Sequence, residues 1–169
     1  YRIMINNINM NIAKSSFPPT SLFTRFDISA LLGEDSNKPR GKLSASGWID
    51  FRPKDMEGEV TFKDVDLTYL MPYYQGSLGG KKIASAKLNF DSDLKAKNND
   101  LKAKCHLEVS DLVYEKEAEG EGQQESMDLL PMMLNVFSDS SKKAAFDFTL
   151  STKLDKPRLN LKELQGVIG

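Results

Sequence analysis

Asp64 and Asp66, and Asp91 and Asp93, each stand two residues apart. On a strand, that spacing puts both members of a pair on one face. Two carboxylates facing one another are what a glycoside hydrolase uses, one as acid and one as base or nucleophile. Asp91 and Asp93, however, sit in an open run with Lys87 and Lys95, which reads as a solvated charged face. His106, the single histidine, alternates onto the polar side with Lys104 and Glu108. Cys105, the single cysteine, falls on the apolar side, where it reads as a small core residue. One histidine and one cysteine cannot assemble a structural zinc site. The acidic stretch 115–125 lacks the spaced oxygen ligands of a calcium loop, and Gly79-Gly80 reads as a turn, not a phosphate cradle. No enzyme, metal or cofactor is therefore expected.

The elements that position these residues are alternating stretches. Leu22-Phe26-Ile28-Ala30, Leu43-Ala45-Gly47-Ile49-Phe51, Ala84-Ala86-Leu88-Phe90, Leu101-Ala103-Cys105-Leu107-Val109 and Ala144-Phe146-Phe148-Leu150 each put their apolar residues on one side. A period of two argues for strands with one apolar and one wet face. Residues 1–13 read as a strand whose parity changes at Asn6-Asn7, the mark of a bulge. Strands follow over 22–32 and 42–52, then a turn from Pro53 to Gly58 and a short strand over 59–63. Longer strands are expected over 82–96 and 101–114, joined by a tight turn, and later strands over 144–153 and 158–164.

Two short helices are expected near 66–75 and 127–139. Asp66 would cap the first, which carries Leu67, Leu70, Met71 and Tyr74 on one face, with Pro72 against it. Leu129, Leu130, Met133, Leu134, Val136 and Phe137 mark the second, with Pro131 suited to its first turn. A faint repeat links Asp66-Leu67-Thr68-Tyr69 with Asp111-Leu112-Val113-Tyr114. The expected fold is mainly β: one extended, curved antiparallel sheet spanning 1–169 as a single segment. Trp48 falls on the polar side with Ser44, Ser46 and Asp50, either as a contact surface or beneath a loop.

Composition agrees with a packed domain: 40% hydrophobic and 28% charged residues. With 23 basic and 24 acidic residues the net charge is −1, which argues against a nucleic-acid surface. No stretch approaches the roughly 18 apolar residues of a membrane span. The chain opens at Tyr1 within an alternating pattern, as expected of a fragment of a larger protein.

The run Val65-Asp66-Leu67-Thr68-Tyr69-Leu70-Met71-Pro72-Tyr73-Tyr74 leads through Leu78-Gly79 into Ile83-Ala84-Ser85-Ala86-Lys87-Leu88-Asn89-Phe90 and then Asn99-Asp100-Leu101-Lys102-Ala103. With Leu129-Leu130-Pro131, Phe146-Asp147-Phe148 and Leu154-Asp155-Lys156-Pro157, this resembles the C-terminal region of AsmA-like bacterial envelope proteins. The likeness runs over roughly 60–165, and 1–59 shares only the alternation. Ala86, where the pattern often has Gly, and the acidic stretch 115–125 depart from it.

The resemblance implies a periplasmic protein anchored in the inner membrane, similar to bridge-like lipid transporters and associated with outer-membrane biogenesis. It brings no catalytic residues. The residues expected to line an apolar groove for phospholipid acyl chains are Phe26, Ile28, Ile49, Phe51, Leu88, Phe90, Leu107, Phe146 and Phe148. The alternative is a structural or interaction domain whose sheet is closed by its own helices. An unpaired edge strand would also favour a homodimer of the fragment.

Overall fold

A computed structural model describes residues 3–14, 23–74, 83–114, 143–156 and 160–168. Eight strands form one antiparallel sheet in strict sequence order. They are β1 (Ile5–Lys14), β2 (Phe23–Leu32), β3 (Gly41–Asp50), β4 (Asp55–Asp66), β5 (Ile83–Lys97), β6 (Asp100–Tyr114), β7 (Lys143–Lys153) and β8 (Asn160–Ile168). One helix, α1 (Leu67–Tyr74), follows β4 directly. The second expected helix, near 127–139, lies outside the described residues, as does the acidic stretch 115–125.

The expected alternation becomes a two-faced sheet because the register keeps like parities together. One row runs Ile28–Ala45–Val60–Ser92–Cys105–Phe148 and the next Ala30–Leu43–Phe62–Phe90–Leu107–Phe146. The rows alternating with them carry the charge: Asp27–Ser46–Glu59–Asp93–Lys104–Thr149 beside the first, and Ser29–Ser44–Thr61–Asp91–His106–Asp147 between the two. A slip of one residue anywhere would drive those charges into the apolar face, so the pattern enforces the register.

Several expected boundaries shift. The turn after β3 occupies 51–54, not 53–58, and β4 begins at Asp55 and runs twelve residues where a short strand over 59–63 was expected. The final strand is Asn160–Ile168 rather than 158–164. The bulge at Asn6-Asn7 is present, with Asn7 at φ 48° and the β1–β2 register shifting between Asn6 and Asn9. Two more extra residues, Asp64 (φ 52°) and Asp111 (φ 54°), shift the β4–β5 and β5–β6 registers. Asn and Asp tolerate this left-handed backbone better than most residues. A further shift near Ile83 turns Ala84 out to solvent and buries Ile83 instead, against the expected face, while Ala86 is buried as expected.

Asp66 caps α1 as expected: its Oδ1 accepts the Thr68 N–H at 2.9 Å, and Arg40 Nη1 pairs with its Oδ2 at 2.8 Å. Partial burial alone would raise the Asp66 pKa, but the Thr68 and Arg40 bonds outweigh it and hold the carboxyl below its usual range. The matching Asp111 lies in a bulged strand, so the Asp-Leu repeat has no structural counterpart there. α1 spans only two turns and includes Pro72, whose missing N–H limits how far it can extend.

The densest core lies at the α1 end of the apolar face. Leu67 from α1 packs with Ile83, Val109 and Ala144, all essentially without solvent contact, and Leu70 and Met71 pack beside it. Tyr69 reaches from α1 to the first strand region, its Oη accepting the Met4 N–H at 2.8 Å.

The opposite end is tied by turn-to-turn bonds. Lys54 Nζ and Asn99 Nδ2 each donate to Asp155 at 2.8 Å, and Asn99 N donates to the Lys54 carbonyl. The Lys54 ammonium first, then the Asn99 amide, lower the Asp155 pKa to about 2. A folded-state pKa below the unfolded one stabilises the fold above the unfolded value. This contribution should therefore hold above about pH 4 and fade as pH falls through about 2. A carboxyl-carbon NMR titration should show Asp155 protonating near 2. A midpoint near 4 would mean that the tie is not populated in solution.

Candidate functional site

The polar face holds every chemically reactive group that the sequence offered except Cys105, and it spends them on pairing across strands. Glu57 faces Lys95 directly, and their side chains meet at 2.8 Å. The Lys95 ammonium draws the Glu57 carboxyl below its usual range, and Glu57 in turn raises Lys95. Asp91 accepts from Thr61 at 3.1 Å and Lys63 at 3.0 Å. His106 Nδ1 lies 2.8 Å from Asp147 Oδ1, and Lys143 pairs with Glu108 at 2.8 Å. Asp55 is buried, and its bond from Lys97 and the Asn98 amide hold its carboxyl below the usual range. Opposite charges directly across a strand pair support the sheet. Asp91 and Asp93 do share a face, but Asp91 is tied to Thr61 and Lys63. Among the described residues no cluster of three His, Cys, Asp or Glu is placed to hold a metal.

Two open hollows lie on this face. One, of about 380 Å³, surrounds His106, Asp91 and Asp147. A larger one, of about 860 Å³, is bordered by Trp48, Glu57, Glu59, Lys95, Lys102 and Lys104. Sequence reasoning missed the larger one because its wall comes from β3, β4, β5 and β6, and only the full register assembles it. Trp48 does lie on the polar face, and the Phe23 ring of β2 stacks on it at 5.2 Å and 19°. Both signs of charge border each hollow, so neither presents the uniform potential that draws one class of charged ligand.

The apolar face is different in kind. Across β2 to β7 it carries no charged residue among the described ones, and its polar intrusions are the hydroxyls of Thr24, Ser92 and Thr152; in β1 the register adds Lys14, opposite Thr24. Ser92 sits 3.4 Å from the Cys105 sulfur. Burial raises the Cys105 pKa, so this is an inert core thiol, as its position in the pattern suggested. The sheet is curved, and side chains converge on this face. Phe90 and Phe148 belong to strands two places apart, yet their ring centroids are 6.5 Å apart. Strands two places apart in a flat sheet are roughly 9–10 Å from one another. Phe62 continues the aromatic ladder, 5.9 Å from Phe90.

The nine expected lining residues divide into three groups. Leu107, Phe146 and Phe148 are buried, and Leu88 and Phe90 pack against that cluster half-buried. Phe26, Ile28 and Ile49 lie on the same face in β2 and β3, each half-exposed. Phe51 does not line the face at all. It falls in the β3–β4 turn and is exposed, because β3 ends at Asp50, one residue before the expected alternation would have reached it. Exposure on the apolar face therefore rises from β7 toward β1, where Ile5, Ile8, Met10 and Ile12 are open to solvent.

Phe26 has a further task that its strand pattern did not reveal. Gly47 and Gly58 are direct cross-strand partners, leaving a notch without side chains in the apolar face. The Phe26 ring lies over that notch, with Cζ 3.3 Å from where a Gly58 Cβ would stand.

Compared with protein-family models, with curated proteins and with solved structures, the chain matches none.

Proposed function

We propose that this chain is a non-enzymatic lipid-contacting module, whose apolar sheet face holds phospholipid acyl chains within a larger envelope protein of the AsmA-like kind. The observation that carries this reading is the uncharged apolar face over β2 to β4, half-exposed at Phe26, Ile28, Leu43, Ile49, Val60 and Phe62. A soluble domain rarely leaves a contiguous apolar surface of this kind uncovered without a partner for it. From Gly41 to Ile49 the face extends about 27 Å along β3. One leaflet of bilayer hydrocarbon is roughly 15 Å thick, so the face is long enough for a whole chain. Each methylene covered contributes about 0.8 kcal/mol, which needs no polar anchor and leaves a chain able to slide. The sequence resemblance supports the periplasmic setting and the inner-membrane anchor; the chemistry of the face supports the acyl chain.

A second reading has its own observation. Burial of Leu107, Phe146 and Phe148 in one cluster with Leu67 of α1 suits a structural or interaction domain whose sheet is closed by its own helices. Photo-crosslinking in cells separates the two. A photoreactive residue at Ile28 should capture phospholipid, while one at the neighbouring Ser29, on the polar face, should not. Absence of lipid at Ile28, or equal capture at both positions, would leave the structural reading in place.

A further inference from the structure

We propose that the larger hollow of the polar face binds a short zwitterionic peptide, one with a free amino end and a free carboxyl end. The site lies opposite the apolar face and does not rest on the lipid reading. Its walls are neighbouring polar rows, Trp48–Glu57–Lys95–Lys102 and Ser46–Glu59–Asp93–Lys104. The bare backbone of Gly47 and Gly58 lies between them. At about 860 Å³ the hollow falls within the roughly 300–1,000 Å³ of small-molecule sites.

Two pairs within the hollow break the rule that opposite charges face one another. Glu59 stands directly opposite Asp93, and Lys95 directly opposite Lys102. Like charges in that position destabilise a sheet. Glu57 takes up Lys95 and the Trp48 indole N–H. Glu59, Asp93, Lys102 and Lys104 are exposed, and among the described residues they form no ion pair, although Asp93 faces Lys104. Their outer neighbours across the ladder, Ser46, Thr149 and Ser151, bring no counter-charge. A carboxylate pair and a lysine pair thus stand side by side, each short of counter-ions. Local conflicts that a fold retains in this way gather at functional sites.

The occupant that answers both pairs carries both charges. An anion alone would leave Glu59 and Asp93 uncompensated, and a cation alone would leave Lys102 and Lys104 so. Distance favours a peptide over a single amino acid. β6 lies one strand beyond Asp93 and two beyond Glu59, about 5 and 10 Å. Two or three extended residues span at most about 7–11 Å. The amino end then sits at Glu59 and Asp93, and the carboxyl end at Lys102 and Lys104. Trp48 borders the acidic end, held by the stacked Phe23 ring and its bond to Glu57, and offers apolar surface to a side chain there.

Amide NMR shifts of the whole chain test this with triglycine, N-acetyltriglycine and triglycine amide, which keep both charges, only the negative and only the positive. Triglycine should shift Glu59, Asp93, Lys102 and Lys104, together with the indole signal of Trp48, the single tryptophan. It should bind about fivefold tighter than either blocked form, the upper value of one exposed ion pair. Added salt should weaken it. Glu59→Gln should narrow the preference over N-acetyltriglycine, and Lys102→Gln the preference over triglycine amide. The three-peptide comparison on the unsubstituted chain stands even if a variant folds poorly. No shift in the hollow, equal binding of all three peptides, or preferences untouched by both substitutions would each overturn the proposal. Tighter binding of N-acetyltriglycine would also overturn it, and would mean a site for anions alone.

Discussion

Val109→Asp is expected to abolish cooperative folding, whereas Ile28→Asp on the same face should leave the fold intact. Val109 has no exposed surface and lies in the row Val65–Leu88–Val109–Ala144, closed by Leu67 of α1. An aspartate there would meet only apolar side chains. Burying a carboxyl without a partner costs several kcal/mol, whether it ionises or takes up a proton. Losses above about 4–5 kcal/mol are exceptional for single substitutions, and they approach the whole stability of an ordinary domain, about 5–15 kcal/mol. Urea denaturation should therefore give no folded baseline for Val109→Asp. Ile28 is half-exposed in β2, so its carboxylate would keep much of its water, and the loss should stay near 1–2 kcal/mol. A sharp urea transition, shifted slightly downward, is the expected result. If Ile28→Asp also lost its transition, the β1–β4 half of the face would be core, and the lipid reading would lose its surface.

That contrast bears on what the sequence could convey. Alternation is a local signal, so the strands around Ile28, Leu43, Phe90, Cys105 and Phe146 were legible, and so was the polar side of His106. Asp66 was legible as a cap because capping is settled within three residues. What alternation cannot carry is where a strand stops. Phe51 has the correct parity for the apolar face, yet it lies in the turn because the hairpin closes through 51–54. Bulges are similarly hidden. Asp64 breaks the alternation just before α1, and a break beside a helix reads as the helix starting, although the backbone there is a bulge with positive φ. Exposure is less legible still. Phe26 and Phe146 have the same pattern around them, but one is half-exposed and the other buried, because depth depends on what lies above the sheet.

Gly47→Ala is the second large effect, and it tests how β3 and β4 meet. Gly47 adopts φ 152°, and an added Cβ would stand 2.3 Å from the Glu57 carbonyl oxygen and 2.6 Å from Gly58 Cα. Both are backbone atoms of the paired strand, which cannot swing aside as a side chain would. Relief requires parting β3 from β4 near Trp48–Glu57, with loss of ladder hydrogen bonds in the middle of the sheet. A loss of about 2–4 kcal/mol follows from strain of this kind, which corresponds to a fall in Tm of about 5–15 °C for a chain of this size. Phe26→Ala distinguishes backbone crowding from crowding by the ring above. The contacts around a Cβ at Gly47 are backbone, so removing the ring should not rescue Gly47→Ala. At Gly58 the ring is one of the near contacts, at 3.3 Å, beside the Ser46 carbonyl at 2.7 Å. Phe26→Ala should therefore recover part, and only part, of the loss caused by Gly58→Ala. A Tm for Gly47→Ala within a degree or two of the parent would mean that the strands stand further apart than this geometry requires. The Phe26 ring would then have no notch to fill, and would be a lining residue like Ile28.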